Sequence, residues 1–407
     1  MTNVPELRFD GFDGEWEETK IGSLSKVVRG ASPRPISDQK WFDGNSDVGW
    51  LRISDVTTQN GRIHELEQKL SIDGQKKTRV YRTPHLILSI AASVGKPVIN
   101  YINTGVHDGF IIFEEPKFDL EYMFQRLDSI QLSWSKYGQP GSQVNLNSDI
   151  VKNRRTNLPH LEEQGKIGEL FRKIDDLIEI QERTVAKIED YKKSMLQKMF
   201  PKKGELVPEF RFDGFDEEWK MDKLKNILNY RRGSFPQPYT EDSWYGGEGS
   251  MPFVQVNDVE NESFKLKYPT NKTISTLAMP KSVFVEKGTI LVTIQGSIGR
   301  IALTQYDSYV DRTLLIITDN IIEFDKYFLI NVLYLLFYKE KFKASGGTIK
   351  SITTKKLGDF KISFPSIEEQ VKIGQFFKNL DTQIENEEKL LDSYKMMKKS
   401  LLQKMFV

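Results

Sequence analysis

"LPHLEEQGKIGELF" occupies Leu158–Phe171, and "FPSIEEQVKIGQFF" occupies Phe364–Phe377. Extended outward, Asn157–Phe200 aligns with Ser363–Phe406 without a gap, and 20 of 44 positions are identical. Both copies close on "LQKMF". Upstream, Pro5–Trp16 matches Pro208–Trp219 at 10 of 12 positions, each copy carrying "RFDGFD". Between these markers, Arg29-Gly30 aligns with Arg232-Gly233, Trp41 with Trp244, and "LRISDV" (Leu51–Val56) with "VQVNDV" (Val254–Val259). "LILSIAASVGK" (Leu86–Lys96) likewise aligns with "ILVTIQGSIGR" (Ile290–Arg300). A period of this length is too long for a solenoid repeat. The chain is a tandem duplication of a whole module, a globular part followed by a helix.

The tails carry the helical signal. Apolar residues fall four and three apart at Ile167, Phe171, Ile174, Ile178, Val185, Ile188, Met195 and Met199. The second tail keeps the register with Ile373, Phe377, Leu380, Ile384, Leu391, Tyr394, Leu401 and Met405. Such spacing is a coiled-coil seam. Gln181 and Lys192, and at the same places Glu387 and Lys398, interrupt it; a polar residue in a seam fixes register by penalising wrong pairings. Pro159 and Pro365 mark the helix starts, and Pro201 with Gly204 stops the first helix.

The globular parts read as α+β. Short β-branched and aromatic runs such as "HLILSI", "GFIIFEE" and "TLLIIT" are punctuated by Gly, Pro, Asn and Asp. Helix is expected at "FDLEYMFQRLDSIQLSW" and "FDKYFLINVLYLLFYKEKF". The expected organisation is a first globular domain at 1–156, a spacer helix at 157–200, a linker at 201–207, a second domain at 208–362 and a terminal helix at 363–407. If the helices pair with each other, the second domain must lie at the end of one and the start of the other. The pair is therefore antiparallel, with an internal pseudo-two-fold repeat. Glu162–Met199 is 38 residues, roughly 57 Å of helix. Two inverted heads at a fixed separation is the geometry of a dimeric DNA reader, whose heads sit roughly 34 Å apart. Here one chain would supply both.

Composition sets the outer limits. The chain has 407 residues, no cysteine and a net charge of +1. Disulfides and thiolate metal sites are excluded, and a reducing cytoplasm is expected. No signal peptide is expected from the opening residues. The longest apolar candidate, Tyr327–Tyr338, is short for a membrane span. Near-neutral charge weighs mildly against nucleic acid, although charged helices can hide a basic face elsewhere.

With the duplicated helix starts, the paired "LQKMF" ends, the paired "RFDGFD" openings and the "SVGK"/"SIGR" turns in order, the whole chain resembles the specificity subunit of a type I restriction–modification system. The resemblance implies two target-recognition domains, each reading one half of an asymmetric bipartite site in double-stranded DNA. It implies helices that set the gap and dock two methyltransferase subunits. It further implies a non-catalytic chain that binds no cofactor. S-adenosylmethionine, ATP and Mg would belong to the methyltransferase and restriction (translocase/nuclease) partners, with adenine N6 as the methylated position on a flipped base. No G-x-x-x-x-G-K-[ST] phosphate loop and no amino-methyltransferase "NPPY" or "DPPY" is present, and the four histidines are scattered rather than clustered as metal ligands. The competing reading is a coiled-coil protein-binding scaffold with no DNA role.

Candidate DNA contacts come from the aligned loops. Arg29 and Arg34, against Arg232 and Gln237, lie in Gly/Pro-rich loops; Arg pairs with guanine, and Gln or Asn with adenine. The alternative is a solvated surface turn. Arg52, Ser54 and Asp55, against Gln255, Asn257 and Asp258, alternate with apolar residues on an expected strand facing a groove. The two Asp residues serve equally well as turn formers. Lys96 and Arg300 follow Gly95 and Gly299, suiting a phosphate clamp or an ordinary hairpin turn. The polar loops Tyr137–Leu146 and Ala344–Ile352 precede the helices at equivalent places. Leu170, Leu177 and Leu196 lie beside the seam and point to an obligate partner.

Overall fold

The computed structural model describes residues 3–91, 93–137, 146–261, 263–343 and 352–407. Most of the two polar loops singled out above, residues 138–145 and 344–351, lies outside them. The chain forms two compact units. Unit one is Met1–Glu182 with Lys389–Val407, and unit two is Arg183–Glu388. The long helices run Leu161–Lys198 and Ile367–Met405. Each unit thus owns one globular head, the first half of one long helix and the last part of the other.

In unit one the main sheet has the strand order Lys26–Arg29, Phe110–Glu114, Leu86–Ser89, Pro97–Asn100, Arg62–Ile63. Its residues alternate between two cores, as the two-residue period of a strand requires. Leu86, Leu88, Ile99, Ile111 and Phe113 face the helices, packing with Tyr122, Phe171 and Phe406. Ile87, Val98, Phe110 and Ile112 face the other way, onto Leu51 and Val106 of a smaller sheet ordered Gly49–Leu51, Thr104–Val106, Arg79–Tyr81. Both faces are buried, so the strands read as continuous apolar runs.

Unit two repeats the plan with the order Leu228–Arg232, Leu314–Asn320, Ile290–Thr293, Ile301–Leu303. Ile290, Val292, Leu315 and Ile317 face the helices, while Leu291, Leu314 and Ile316 face a second four-stranded sheet. Helices expected from sequence stand at Leu120–Ser129 and Lys326–Lys343. Asp119 and Asp325 cap them, accepting from the backbone N–H of Tyr122 and Phe328 at 2.8 Å, the usual service of an N-cap carboxylate.

The repeated motifs bind one another. Arg8 donates through Nε and a terminal nitrogen to both carboxylate oxygens of Glu163, at 2.8 Å each. Arg211 grips Glu369 identically. Glu163 and Glu369 are 0% and 1% exposed, so each guanidinium neutralises a buried charge with a planar fork suited to it. The next residue, Gln164 or Gln370, donates to the carbonyl of Pro159 or Pro365 and accepts from the N–H of Asp119 or Asp325. Lys166 lies over the Phe12 ring, and Lys372 over Phe215, both at 4.8 Å. A Cβ on Gly168 would stand 2.6 Å from Asp119 Oδ1, and one on Gly374 would stand 2.1 Å from Asp325 Oδ1. The duplicated "E-Q-x-K-I-G" thus docks on the duplicated "RFDGFD" and on the capped helix. Antiparallel two-residue-period ribbons, Glu17–Lys20 with Arg155–Leu158 and Lys220–Lys223 with Lys361–Phe364, tie each opening to the segment before its helix.

The seam is buried where it meets its head. Ile167, Phe171 and Ile174 are buried in unit one, with Ile178 packed partly against them. Ile373, Phe377 and Leu380 are buried in unit two, and Ile384 is half-buried. The terminal Phe residues complete both cores. Phe406 packs on Phe171, Tyr122 and Trp16, and Phe200 on Phe377, Phe328 and Trp219. Within each unit the helix segments run antiparallel. Lys398 pairs with Asp175 at 2.7 Å and Lys395 with Glu182 at 2.7 Å in unit one; Lys192 pairs with Asp381 in unit two. Leu196 is buried in the unit-two core and Leu170 packs partly in that of unit one, so of the three leucines read as partner-facing only Leu177 is exposed.

Two outcomes test this account. Arg8→Met leaves the buried Glu163 carboxylate unpaired and is expected to cost unit one about 3–5 kcal/mol in urea unfolding. Arg8→Met/Glu163→Met is expected to recover much of that loss, and a double variant no more stable than the single one would refute the role of the pair. On the same helix, Gly165→Ala meets nothing within 4 Å and is expected to stabilise by about 0.8–1 kcal/mol. Gly168→Ala is expected to lower the thermal midpoint.

Candidate nucleic-acid interface

Each head carries a loop pinned at one glycine. After Arg29 the chain turns at Gly30, whose N–H donates to the Phe110 carbonyl at 2.9 Å, and the Ala31 N–H donates to that of Val106 at 3.0 Å. Any Cβ at Gly30 would stand 2.1 Å from the His107 carbonyl oxygen. Gly233 repeats this under the Val310 carbonyl, at 2.2 Å, with Ser234 donating to Val310 at 3.1 Å. Both loops carry a cis X–Pro bond at the same place, Arg34–Pro35 and Gln237–Pro238.

In the first head the loop closes on Asp108. Ser32 Oγ donates to Asp108 Oδ1 and Arg34 to Oδ2, both at 2.7 Å, while Arg29 Nε donates to the Asp108 backbone carbonyl at 2.7 Å. Burial pushes the Asp108 carboxyl up, but the Ser32 hydrogen bond and the positive charges of Arg34 and Arg29 work against it, leaving the carboxyl below its ordinary range. Burial likewise pushes His107 down, against the pull of Asp108. The Gly109 N–H donates to His107 Nδ1 at 2.8 Å, so that nitrogen is an acceptor and the 3.2 Å approach of Asp108 to it is not an ion pair.

In the second head the same loop meets different chemistry. Tyr239 donates its hydroxyl to Asp311, which also accepts from the Thr313 N–H at 2.9 Å. Burial, and then the bond to Asp311, pushes the Tyr239 hydroxyl up. Arg312 stands at the position of Asp108 and lies over the Tyr239 ring at 5.1 Å. Arg232 and Gln237 are exposed.

The second group of candidates is arranged otherwise than expected. The strands end at Leu51 and Val254, and the backbone then turns into helix at Ile53–Thr58 and Val256–Asp258. Strand alternation therefore does not orient Arg52, Ser54 and Asp55, or Gln255, Asn257 and Asp258. The reason is local: Asp55 accepts the Arg52 N–H, and Asp258 the Gln255 N–H, each at 2.8 Å, which caps a turn. Asp258 also accepts the Asn271 N–H at 2.8 Å and is 0% exposed, so it is a turn former and not a base reader. Asp55 further holds the Arg52 guanidinium, at 3.2 Å. Ser54 and Asn257 remain exposed, with Arg52 and Gln255 half-buried.

Lys96 and Arg300 follow tight turns, Gly95 and Gly299 having φ of +77° and +84°. Both are turned inward. Lys96 pairs with Asp128 at 2.8 Å, and Arg300 donates to the Val259 carbonyl at 3.1 Å. A phosphate clamp at either would first have to break that bond, so the hairpin alternative describes them. Sequence reasoning passed over Asp108 and Arg312. Their signal was present: at an offset of 204, "VHD" (Val106–Asp108) aligns with "VDR" (Val310–Arg312) and the charge reverses. A cavity of about 1160 Å³ in unit two, lined by Leu196, Phe200, Phe264 and Tyr334, includes none of these loop residues.

Comparison with known proteins agrees with the duplication. The family model described as type I restriction modification DNA specificity domain matches residues 13–190 and again 216–394. A Methanocaldococcus jannaschii protein, assigned provisionally as the type I restriction enzyme MjaX specificity subunit, is 25% identical over 269 residues. That alignment spans 64% of this chain but only 60% of the relative. The MjaVIII specificity subunit of the same organism is 23% identical over 407 residues, covering 95% of this chain and 91% of that one. Among solved structures, the S subunit of a type I restriction–modification system from M. genitalium superposes with a TM-score of 0.67 at 15% identity, over 99% of both chains. A chain from work on complex assembly and conformational transition of the type I R-M system gives 0.55 at 19% identity, over 96% of this chain and 97% of that one. At these identities the structural likeness speaks for the fold.

The capping role assigned to Asp258 has a direct check. Asp258→Asn replaces one of two accepting oxygens by a donor facing a backbone N–H, and is expected to cost about 1–3 kcal/mol in denaturant unfolding. Asn257→Ala, on the exposed side of the same turn, is expected to change stability by less than about 0.5 kcal/mol.

Proposed function

The chain belongs to the type I restriction–modification DNA specificity family, and from that premise we propose that it reads an asymmetric bipartite DNA site, one half with each recognition domain. The observation that carries the reading is the pairing of like frames with unlike loops. Gly30 and Gly233 hold their loops to the same neighbouring carbonyls, yet Ser32, Arg34 and Asp108 on one frame correspond to Phe235, Gln237 and Arg312 on the other. Side chains of different hydrogen-bonding character on a common scaffold discriminate base edges differently.

The long helices, 38 and 39 residues, set the gap and dock two methyltransferase subunits. Exposed apolar side chains along them, among them Leu177, Val371, Leu390 and Met396, support a protein partner, because apolar groups on a helix are stabilised when covered. The chain itself contributes recognition. S-adenosylmethionine is carried by the methyltransferase, and ATP with Mg by restriction subunits. Base contacts are assigned to the exposed Arg34, Ser54, Gln237 and Asn257, together with Arg29, Arg52, Arg232 and Gln255. The setting is the cytoplasm; no helix among the described residues is long and apolar enough to cross a membrane.

Co-expression with the candidate methyltransferase, purification of the complex and sequencing of host DNA for N6-methyladenine tests the reading. A single motif of two short specified parts around a fixed gap is expected. Replacing Gln255 and Asn257 by their first-domain counterparts, Gln255→Arg and Asn257→Ser, is expected to alter one half alone. A complex that methylates no motif would sink the recognition claim. Failure to form any complex would favour the scaffold reading.

A further inference from the structure

The second recognition domain carries an aromatic cluster that the first does not match. Phe235 stacks on Tyr239 at 5.1 Å, on Tyr245 at 5.2 Å and on Phe253 at 4.4 Å. Ser32 and Ile36 stand where Phe235 and Tyr239 do. Three cations lie on the rings of this cluster. Lys272 Nζ is 4.0 Å from the centre of Tyr245, Lys281 Nζ is 4.6 Å from that of Trp244, and the Arg312 guanidinium is 5.1 Å from that of Tyr239. All three are exposed. Ser234 Oγ donates to the Lys281 carbonyl at 3.0 Å, tying that segment to the Gly233 loop.

Charge balance differs between the domains. In the first, several cations of the corresponding surface are matched: Arg34 pairs with Asp108, Lys40 (which also lies over the Trp41 ring, at 4.4 Å) with Asp38, Arg82 with Asp47 and Lys76 with Asp73, while Arg29 and Arg79 donate to backbone carbonyls and Lys77 forms no ion pair among the described residues. In the second, none of Lys272, Lys281 and Arg312 forms an ion pair among the described residues. Asp311, beside them, is buried and accepts from Tyr239 and Thr313. Glu241 and Asp242, on the loop itself, form no ion pair with these cations among the described residues. A ring face holds a long cationic side chain in place without consuming its hydrogen-bond donors. The side chain is then ordered before an anion arrives, which lowers the entropy cost of binding. Three ordered, unmatched cations on one surface suit a polyanion with regularly spaced charges.

Resting on the DNA-reading function, we infer that Lys272, Lys281 and Arg312 form the phosphate-backbone contact of the second recognition domain, and that the salt-dependent part of DNA affinity is concentrated there. Phosphate contacts position a protein without carrying sequence information. The patch therefore strengthens binding to any duplex, while base readout stays with the loop residues.

The test uses the complex with co-expressed methyltransferase, binding a labelled duplex that carries the methylated motif, by anisotropy across salt concentrations of about 50–200 mM. Lys272→Gln/Lys281→Gln/Arg312→Gln is expected to reduce the slope of log affinity against log salt by about 2–3, to weaken binding to a non-specific duplex alike, and to leave the methylated motif unchanged. Arg29→Gln/Arg34→Gln is expected to reduce the slope by less than about 1. The charge-conserving Lys272→Arg/Lys281→Arg/Arg312→Lys is expected to keep the wild-type slope, which separates loss of charge from loss of folding. An unchanged slope in the triple Gln variant, or an equal reduction from the first-domain pair, overturns the inference while the DNA-reading function stands. A wild-type complex that binds no duplex at low salt overturns both.

Discussion

A buried, two-pronged contact between an arginine and a glutamate, made twice, holds each recognition domain to its helix. Arg8 with Glu163, and Arg211 with Glu369, join an opening segment to the first turn of a helix more than 150 residues later. Burying a carboxylate is costly, and the attraction of its partner repays that cost only when geometry is good and the remaining lone pairs are used. Both carboxylate oxygens are used here. Replacing such a pair by an apolar pair of similar volume is often neutral or stabilising, which places the gain in specificity of docking: a wrong approach of helix to head strands a charge. Around this contact the cap-bridging glutamine, the lysine over a phenylalanine ring and the close-approach glycine each need the same docking angle.

The polar residues in the helix seams work by a related rule. Lys398 meets Asp175 in unit one and Lys192 meets Asp381 in unit two. Under the 206-residue offset these are the same pair with roles exchanged, the reciprocity expected of a two-fold contact. Their surroundings have diverged. Asp175 also accepts from Arg62 and from Gln125, at 3.0 and 2.6 Å. Asp381 has Lys192 and, farther off, the charge of Lys265, and burial pushes its carboxyl up beyond what these cations offset. The duplicated frame tolerates different second partners as long as the first is kept.

The same division between kept frame and altered partner governs the loops. A glycine pressed against a neighbouring carbonyl admits no side chain, so the loop path is fixed in both domains. Residues beyond it are free to differ, and they differ in charge as well as size. Asp108 gathers Ser32 and Arg34, while Arg312, in its place, rests on Tyr239. This separation lets the loop side chains change without changing how the domain meets its helix.

The duplication, the helix register, the α+β character and the antiparallel sense of the helix segments were all legible in the sequence. Period and connectivity are properties of the chain alone. Ile167, Phe171, Ile373 and Phe377 could be named as seam residues because helical spacing fixes which side chains share a face. The partners of polar side chains were not legible. Asp55 and Asp258 cap turns, and Lys96 and Arg300 turn inward to Asp128 and the Val259 carbonyl, although alternation and turn position made them look like surface contacts. Asp108 and Arg312, which dominate their loops, lie about 75 residues in sequence from the segments they meet. Whether a charged group faces solvent or a neighbour depends on which distant segments the fold brings within hydrogen-bonding reach, and only the tertiary structure decides that.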